Sequence, residues 1–381
     1  MNKSRKSNRK LSKNEKYNKQ RSLSKKKTNK KPFGLGFHKT TKTSKSYSPT
    51  VNRQLVTLKT TQREEINACN IKEAYQYKEP LKLLINGKCF NYNENEAKKQ
   101  LLINLSANKH INPELIIPPK QILANCWFNT MFVSFFVSDK GRKFFHFLRQ
   151  LMIEGKQING IEMTEQIQNT FALLNFAIDS CLTGNKYSYS FNTNNIIKKI
   201  YDIIPANYKR IHSAIVDVDE ASNPILYYIG IIDYLKNNAL TLVLLRNITE
   251  NWKNEIKNIK QYTDDKHKYP HILVFEIYDN DSEKIKDKPL LFSYEKAVYK
   301  LDSVIVRDIS KQHFCAMITC EKEDYGYDGM SYHRLVKMDW KKHINDKDFT
   351  WTFEGSQDYD KTYLKWNFMK SYQMLIYYRI K

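Results

Sequence analysis

Six cysteines and nine histidines carry most of this chain's capacity for nucleophilic chemistry. The cysteines are Cys69, Cys89, Cys126, Cys181, Cys315 and Cys320. None forms a Cys-x-x-Cys pair, and no His–Cys set has structural zinc spacing, so a zinc ribbon is not expected. A thiol becomes an efficient acyl-transfer nucleophile when its pKa is lowered, a base is in reach and donors await the oxyanion. A helix N-terminus serves the first need, because its unpaired N–H groups favour a thiolate. Cys126 stands at such a start. Phe128, Met131, Phe132, Phe135 and Phe136 follow it at helical spacing, and Asn125 suits the cap. A lone cysteine in this place is usually a buried structural residue, so its surroundings must decide.

The elements that would position these groups fall into two halves. After Cys126, helical patterns cover about 142–154, 163–183, 194–204 and 251–260. Strand patterns then take over at 271–278, 297–306, 314–320, 331–335, 349–353 and 372–380. This is an α+β arrangement, with a cleft expected where the halves meet. Upstream, Asn86-Gly87 between two apolar runs predicts a two-residue hairpin turn, and Pro118-Pro119 marks a break. Residues 1–55 read as a disordered basic arm, and 56–117 as an accessory segment with a hairpin. The first 50 residues hold 17 Lys and Arg against one acid, Glu15. Such a segment buries too little to offset its ordering entropy. It suits nucleic acid, an acidic surface or an import receptor, or serves only as a solubilising tail. The rest of the chain is mildly basic. The low cysteine count without a secretory signal predicts a reducing, intracellular compartment. The apolar stretch 225–245 is broken by Asp233 and Lys236, so it predicts core and no membrane span.

Four boxes in chain order change the weight on Cys126. Asn125-Cys126-Trp127-Phe128-Asn129-Thr130 resembles the Cys box of the ubiquitin-specific proteases, which reads Asn-Thr-Cys, aromatic, apolar, Asn-Ser. The stretch 270–277 is similar to that family's Pro-x-x-Leu-x-Phe-x-Leu strand. Gln312-His313-Phe314-Cys315-Ala316 is similar to its Gly-His-Tyr-x-Ala box. The stretch 372–379 looks like its closing strand. The resemblance spans about 118–381. It implies a papain-like fold with a helical thumb at about 118–260 and a β-rich palm at about 261–381. High Lys, Asn, Ile and Tyr usage makes the chain similar to the divergent homologues of giant DNA viruses. That would place it in host cytoplasm, a nucleus or a virion.

The resemblance implies a thiol-dependent isopeptidase that cuts after the C-terminal glycine of ubiquitin or a ubiquitin-like modifier, as a monomer without metal or organic cofactor. Cys126 would be the nucleophile, His313 the base, and Gln121 the oxyanion donor. The third triad member would be Glu354 after Phe353, with Asp339 and Asp328 as alternatives. Asn129 would tie the loop to the helix. Asp279, Asp281, Glu283 and Asp287 would be candidates for contacting the modifier's basic tail. The chain departs from the family where Gln312 replaces Gly before the histidine. It also departs in the 187 positions between Cys126 and His313, which imply reduced fingers. Three rival readings stay open: an inactive ubiquitin-binding module, a viral maturation protease, and a basic nucleic-acid-binding virion protein.

Overall fold

The computed structural model describes residues 65–381, apart from 109, 219, 237–239, 247, 249–251, 264–267 and 283. The expected basic arm over 1–55 lies outside the described residues. The described chain starts with a three-stranded sheet: β1 (Asn67–Ala68), β2 (Lys82–Ile85) and β3 (Lys88–Asn91). The β2–β3 turn places both Asn86 (φ 49°) and Gly87 (φ 76°) in the left-handed region, as a two-residue hairpin requires. Cys69 and Cys89 form a disulfide across this sheet, with Cα atoms 6.2 Å apart. The expectation of a reducing compartment treated the cysteines as thiols. Strand pairing instead brings these two into bonding reach, because Cys69 N–H donates to Lys82 and Cys89 lies opposite Leu84.

Among the described residues up to Leu245, nine α-helices follow or interleave: α1 (Ile71–Tyr75), α2 (Asn95–Ala107), α3 (Cys126–Phe136), α4 (Asp139–Phe144), α5 (His146–Glu154), α6 (Glu165–Thr183), α7 (Thr193–Ile203), α8 (Ala206–Ile211) and α9 (Pro224–Tyr234). All 11 residues of α3 are buried, so it is a core helix rather than an amphipathic surface one. The apolar stretch 225–245 becomes α9 and β4 (Leu242–Leu245). Among the described residues, no helix is long and apolar enough to cross a membrane.

The second sheet has the order β10 (Leu335–Lys337), β9 (Glu323–Tyr327), β8 (Phe314–Cys320), β7 (Ala297–Arg307), β11 (Gln373–Arg379), β5 (Ile272–Ile277), β4, with β6 (Leu291–Tyr294) beside β7. All pairs are antiparallel except β4–β5. Side chains alternate between faces. Ile272, Val274, Ile305, Ala316, Met374 and Ile376 join the core under the helices. Leu273, Phe275, Val304, Val306, Met317 and Leu375 join a second core on the far face. Strands covered on both faces read as continuous apolar runs, which is why β5 and β11 stand out in the sequence. Two expected strands do not form as drawn. Residues 331–333 are a bend ahead of β10, and 349–353 contributes only an isolated bridge from Trp351 to Trp366.

Lys288 packs beneath the second core, 1% exposed. Its Nζ donates to the carbonyls of Phe368 (3.0 Å) and Ile344 (3.3 Å) and lies 3.1 Å from Met369 Sδ. Burial lowers its pKa to about 7. A lysine depressed in the fold penalises stability while charged. The penalty is complete below about pH 7 and is relieved as pH rises towards 10.5, the value for a free lysine. Lys288→Met should therefore gain in Tm over wild type most at pH 6. That advantage should shrink steadily between pH 7 and 10 in thermal melts.

Candidate active site

Cys126 opens α3 and is 8% exposed. Asn125 does not cap the helix as the sequence suggested. Its Oδ1 turns back to accept from Ile122 N–H (3.0 Å) and from Asn129 Nδ2 (3.2 Å). The first N–H groups of α3 therefore have no side-chain cap. They remain available to an anion at the thiol or beside it.

His313 is 3% exposed and stands just ahead of β8. Asp308 fixes the preceding turn. Its Oδ1 accepts from the N–H groups of Gln312 (2.8 Å) and His313 (2.6 Å), and Asp308 N–H donates to the His313 carbonyl (2.8 Å). Lys311 takes the left-handed backbone (φ 71°) in this turn. Gln312 does not, so the residue before the histidine has no conformational need for glycine.

Asp328 bonds the imidazole, with Oδ1 2.5 Å from His313 Nε2. The same oxygen accepts from Met330 N–H (3.0 Å), and Oδ2 accepts from the Ser356 hydroxyl. A carboxylate at 0% exposure needs such a set of donors. Burial alone would lower the His313 pKa. The hydrogen bond from Asp328, followed by the Cys126 thiol, overrides that and raises it to about 10. Besides Asp328, Cys126 is the side chain near enough to raise the ring's pKa. His313 Nδ1 is buried and has no fully formed bond of its own. A nucleophile–base contact often tightens only when substrate binds. Trp366 sets its edge against the imidazole, ring centroids 6.0 Å apart.

Glu354 does not reach His313. Its side chain is exposed, and its backbone carbonyl accepts from Tyr332 N–H (3.0 Å) and Ser331 Oγ (2.9 Å). The 351–356 segment instead lends Phe353 to the wall behind Trp366 and Ser356 to Asp328. Asp339 is also far from this role, exposed and paired with Lys342. The acid at the imidazole is Asp328, the third of the sequence candidates. The missed signal was the β8–β9 hairpin. Its register pairs Ala316 with Tyr327, so His313 and Asp328 leave the same open end of the ladder.

Gln121 lies beside this pair. Its N–H donates to the Gly329 carbonyl (2.9 Å). A Cβ on Gly329 would sit 2.9 Å from Gln121 N, so glycine is what lets the two loops touch. The Gln121 carboxamide is folded into its own loop, with Nε2 donating to Leu123 O (3.1 Å) and Oε1 buried without a partner. Leu123 accommodates this with φ 57°. Asn129 ties loop to helix, donating to Lys120 O (3.2 Å).

Cys315 is a buried strand thiol in the second core, and burial pushes its pKa up. Asp279 is taken by Lys311 (2.6 Å), and Asp281 by Lys284 (2.9 Å). Asp287 takes a left-handed backbone conformation, and Glu283 lies outside the described residues. Among the described residues, no group of three or more His, Cys, Asp or Glu is placed to hold a metal ion.

A thiol at an uncapped helix start, a buried imidazole and a carboxylate behind it together suit nucleophilic acyl transfer. Asp328→Asn should lower turnover about a thousandfold by unseating the imidazole, while Glu354→Gln stays within about twofold of wild type. The same variant tests the electrostatics. A histidine raised in the fold stabilises fully below about pH 6.5, and that contribution is lost as pH rises through about 10. The stability gap between wild type and Asp328→Asn in urea should be widest near pH 6 and close towards pH 10.

No protein-family model matches this chain, and no curated protein does. Solved structures overlap it loosely. The SAGA Ubp8/Sgf11/Sus1/Sgf73 deubiquitinase module bound to ubiquitin aldehyde gives a TM-score of 0.42 at 9% identity, covering 82% of this chain and 83% of that one. A second structure, of the Ubp8-Sgf11-Sgf73-Sus1 SAGA deubiquitinase module, gives 0.42 at 11% identity, covering 82% of each. An essential yeast splicing factor gives 0.32 at 10% identity, covering 82% and 88%. Overlap this loose says nothing about substrate or chemistry, which rest on the site itself.

Proposed function

We propose that this chain is a papain-like thiol isopeptidase acting on ubiquitin or a ubiquitin-like modifier. The observation that carries the chemistry is the buried imidazole bonded to Asp328, with the Cys126 thiol at the start of α3 near enough to help raise its pKa. The sequence boxes around Cys126 and His313, together with those at 270–277 and 372–379, support the modifier as substrate.

His313, protonated near neutral pH, pairs as imidazolium with the Cys126 thiolate, which attacks the carbonyl carbon of the terminal glycine. The C–S bond forms as the carbonyl becomes an oxyanion. The Cys126 N–H meets that oxyanion, together with the Gln121 amide once it leaves Leu123 O. His313 then gives its proton to the departing amine as the C–N bond breaks. Water, deprotonated by His313, attacks the thioester and frees Cys126.

A ubiquitin probe with an electrophile at its C-terminus tests the reading. Intact mass should show one adduct on wild type and none on Cys126→Ala. The Gln121 bond to Leu123 favours one alternative, a module that binds ubiquitin without turnover. Binding without an adduct would select that alternative. Neither binding nor adduct would move the substrate away from ubiquitin.

A further inference from the structure

The loop from Lys120 to Asn125 carries the proposed oxyanion donor and ends on the nucleophile. It has no regular structure, and it contains a strained residue in Leu123 (φ 57°). What holds it is a buried polar knot with Thr193 at its centre. Thr193 Oγ1 donates to Asn129 Oδ1 (2.7 Å) and accepts from Asn125 Nδ2 (2.9 Å). Asn125 and Asn129 are also bonded to each other, so the three side chains close a ring. Exposures are 0% for Thr193 and Asn125 and 1% for Asn129. From this ring, Asn125 grips Ile122 N–H and Asn129 grips Lys120 O. Next to Thr193, Asn194 Nδ2 donates to Ile122 O (2.9 Å). The peptide groups on both sides of Gln121 are therefore held from the thumb, while Gln121 N–H is held by Gly329 from the palm.

The start of α7, which carries Thr193, is anchored by packing of its own. Phe191, just before α7, packs against Tyr75 and Phe132, and Ile196, Ile197 and Ile200 are buried. A hydroxyl is the one group here that both donates and accepts at a single atom. Losing it leaves two buried carboxamides each short of a partner, and they relax by releasing the loop.

We propose that Thr193 is a positioning residue for the active site, setting the loop that presents Gln121 and Cys126. This rests on the reading of Cys126 as an acyl-transfer nucleophile. The test compares Thr193→Val, Thr193→Ser and, as a control, Thr170→Val, which removes a buried hydroxyl from α6. The substrate is a fluorogenic amide of the ubiquitin C-terminus. Thr193→Val should lose ten- to a hundredfold in kcat, with KM changed less than about threefold, since a misplacement near 1 Å costs about a hundredfold. Thr193→Ser should recover to within about threefold of wild type, and Thr170→Val should keep the wild-type kcat. A Thr193→Val enzyme within about twofold of wild type, a serine variant as poor as valine, or a control equally impaired would overturn the proposal. If wild type leaves ubiquitin uncut, the substrate reading fails, and iodoacetamide decides the positioning role alone. The other free thiols, Cys181, Cys315 and Cys320, are buried with raised pKa values, so Cys126 is the thiol that reports. Its alkylation rate at pH 7 should then fall at least fivefold in Thr193→Val and recover in Thr193→Ser. Equal rates in all three proteins would reject the role.

Discussion

Burying an imidazole and a carboxylate together is expensive, and the site is organised around making it tolerable. Desolvating each ion costs several kcal/mol, and their attraction compensates only when the remaining lone pairs and protons are also met. Asp328 meets this with a donor on each oxygen beyond the imidazole, from Met330 and Ser356. His313 meets it from the other side, where Asp308 fixes its backbone and Trp366 closes off water from its ring. The irregular stretch 349–368 forms no strand because its task is to bring Ser356, Phe353 and Trp366 to this pair. Its aromatic residues pack sideways, from Phe349 through Trp351 to Phe368.

The second constraint is that thiol and base sit on different halves of the chain. Several contacts set the registration between them. The helix α3 lies against β8 and β7, Gln121 bonds Gly329, and the Tyr327 hydroxyl donates to Pro119 O (2.7 Å). The last two hold the stretch before Cys126. The segment around the first sheet is tied to the helices: Asn195 of α7 donates to Tyr75 O, and Asn169 of α6 accepts from Leu81 N–H. Residues 66–105 thus share an apolar core with the helices.

The parts of this structure that are legible from sequence are those written in apolar period. β5, β7, β8 and β11 are long apolar runs, and α3 begins where its stripe begins. The helix α2 is not legible, because its inward face carries Gln100 and Asn104, and Asn108 follows at the same spacing. Asn108 donates to Asp179, which is paired with Arg149 (2.8 Å), so polar residues point inward and the pattern is lost. At the site, Cys126 and His313 stand out because local motifs surround them. Asp328 is masked by the search for an acid after a strand with tryptophan. The Asp328 position is set by hairpin register, which one sequence shows only once the β8–β9 turn is placed. Asn125 fits a capping pattern, yet Thr193, 68 positions away, claims its side chain.

The place of β11 in the sheet has a consequence for when chemistry begins. This strand lies between β7 and β5, so it joins the two parts of the second sheet. A chain still emerging from the ribosome has made Cys126, His313 and Asp328 before it has made residues 373–379. Until that strand inserts, β5 and β7 have no neighbour in common, and the face on which α3 rests is incomplete. The thiol is thus made early and armed late. In the growing polypeptide the surroundings of Cys126 stay unfinished until β11 has been laid down.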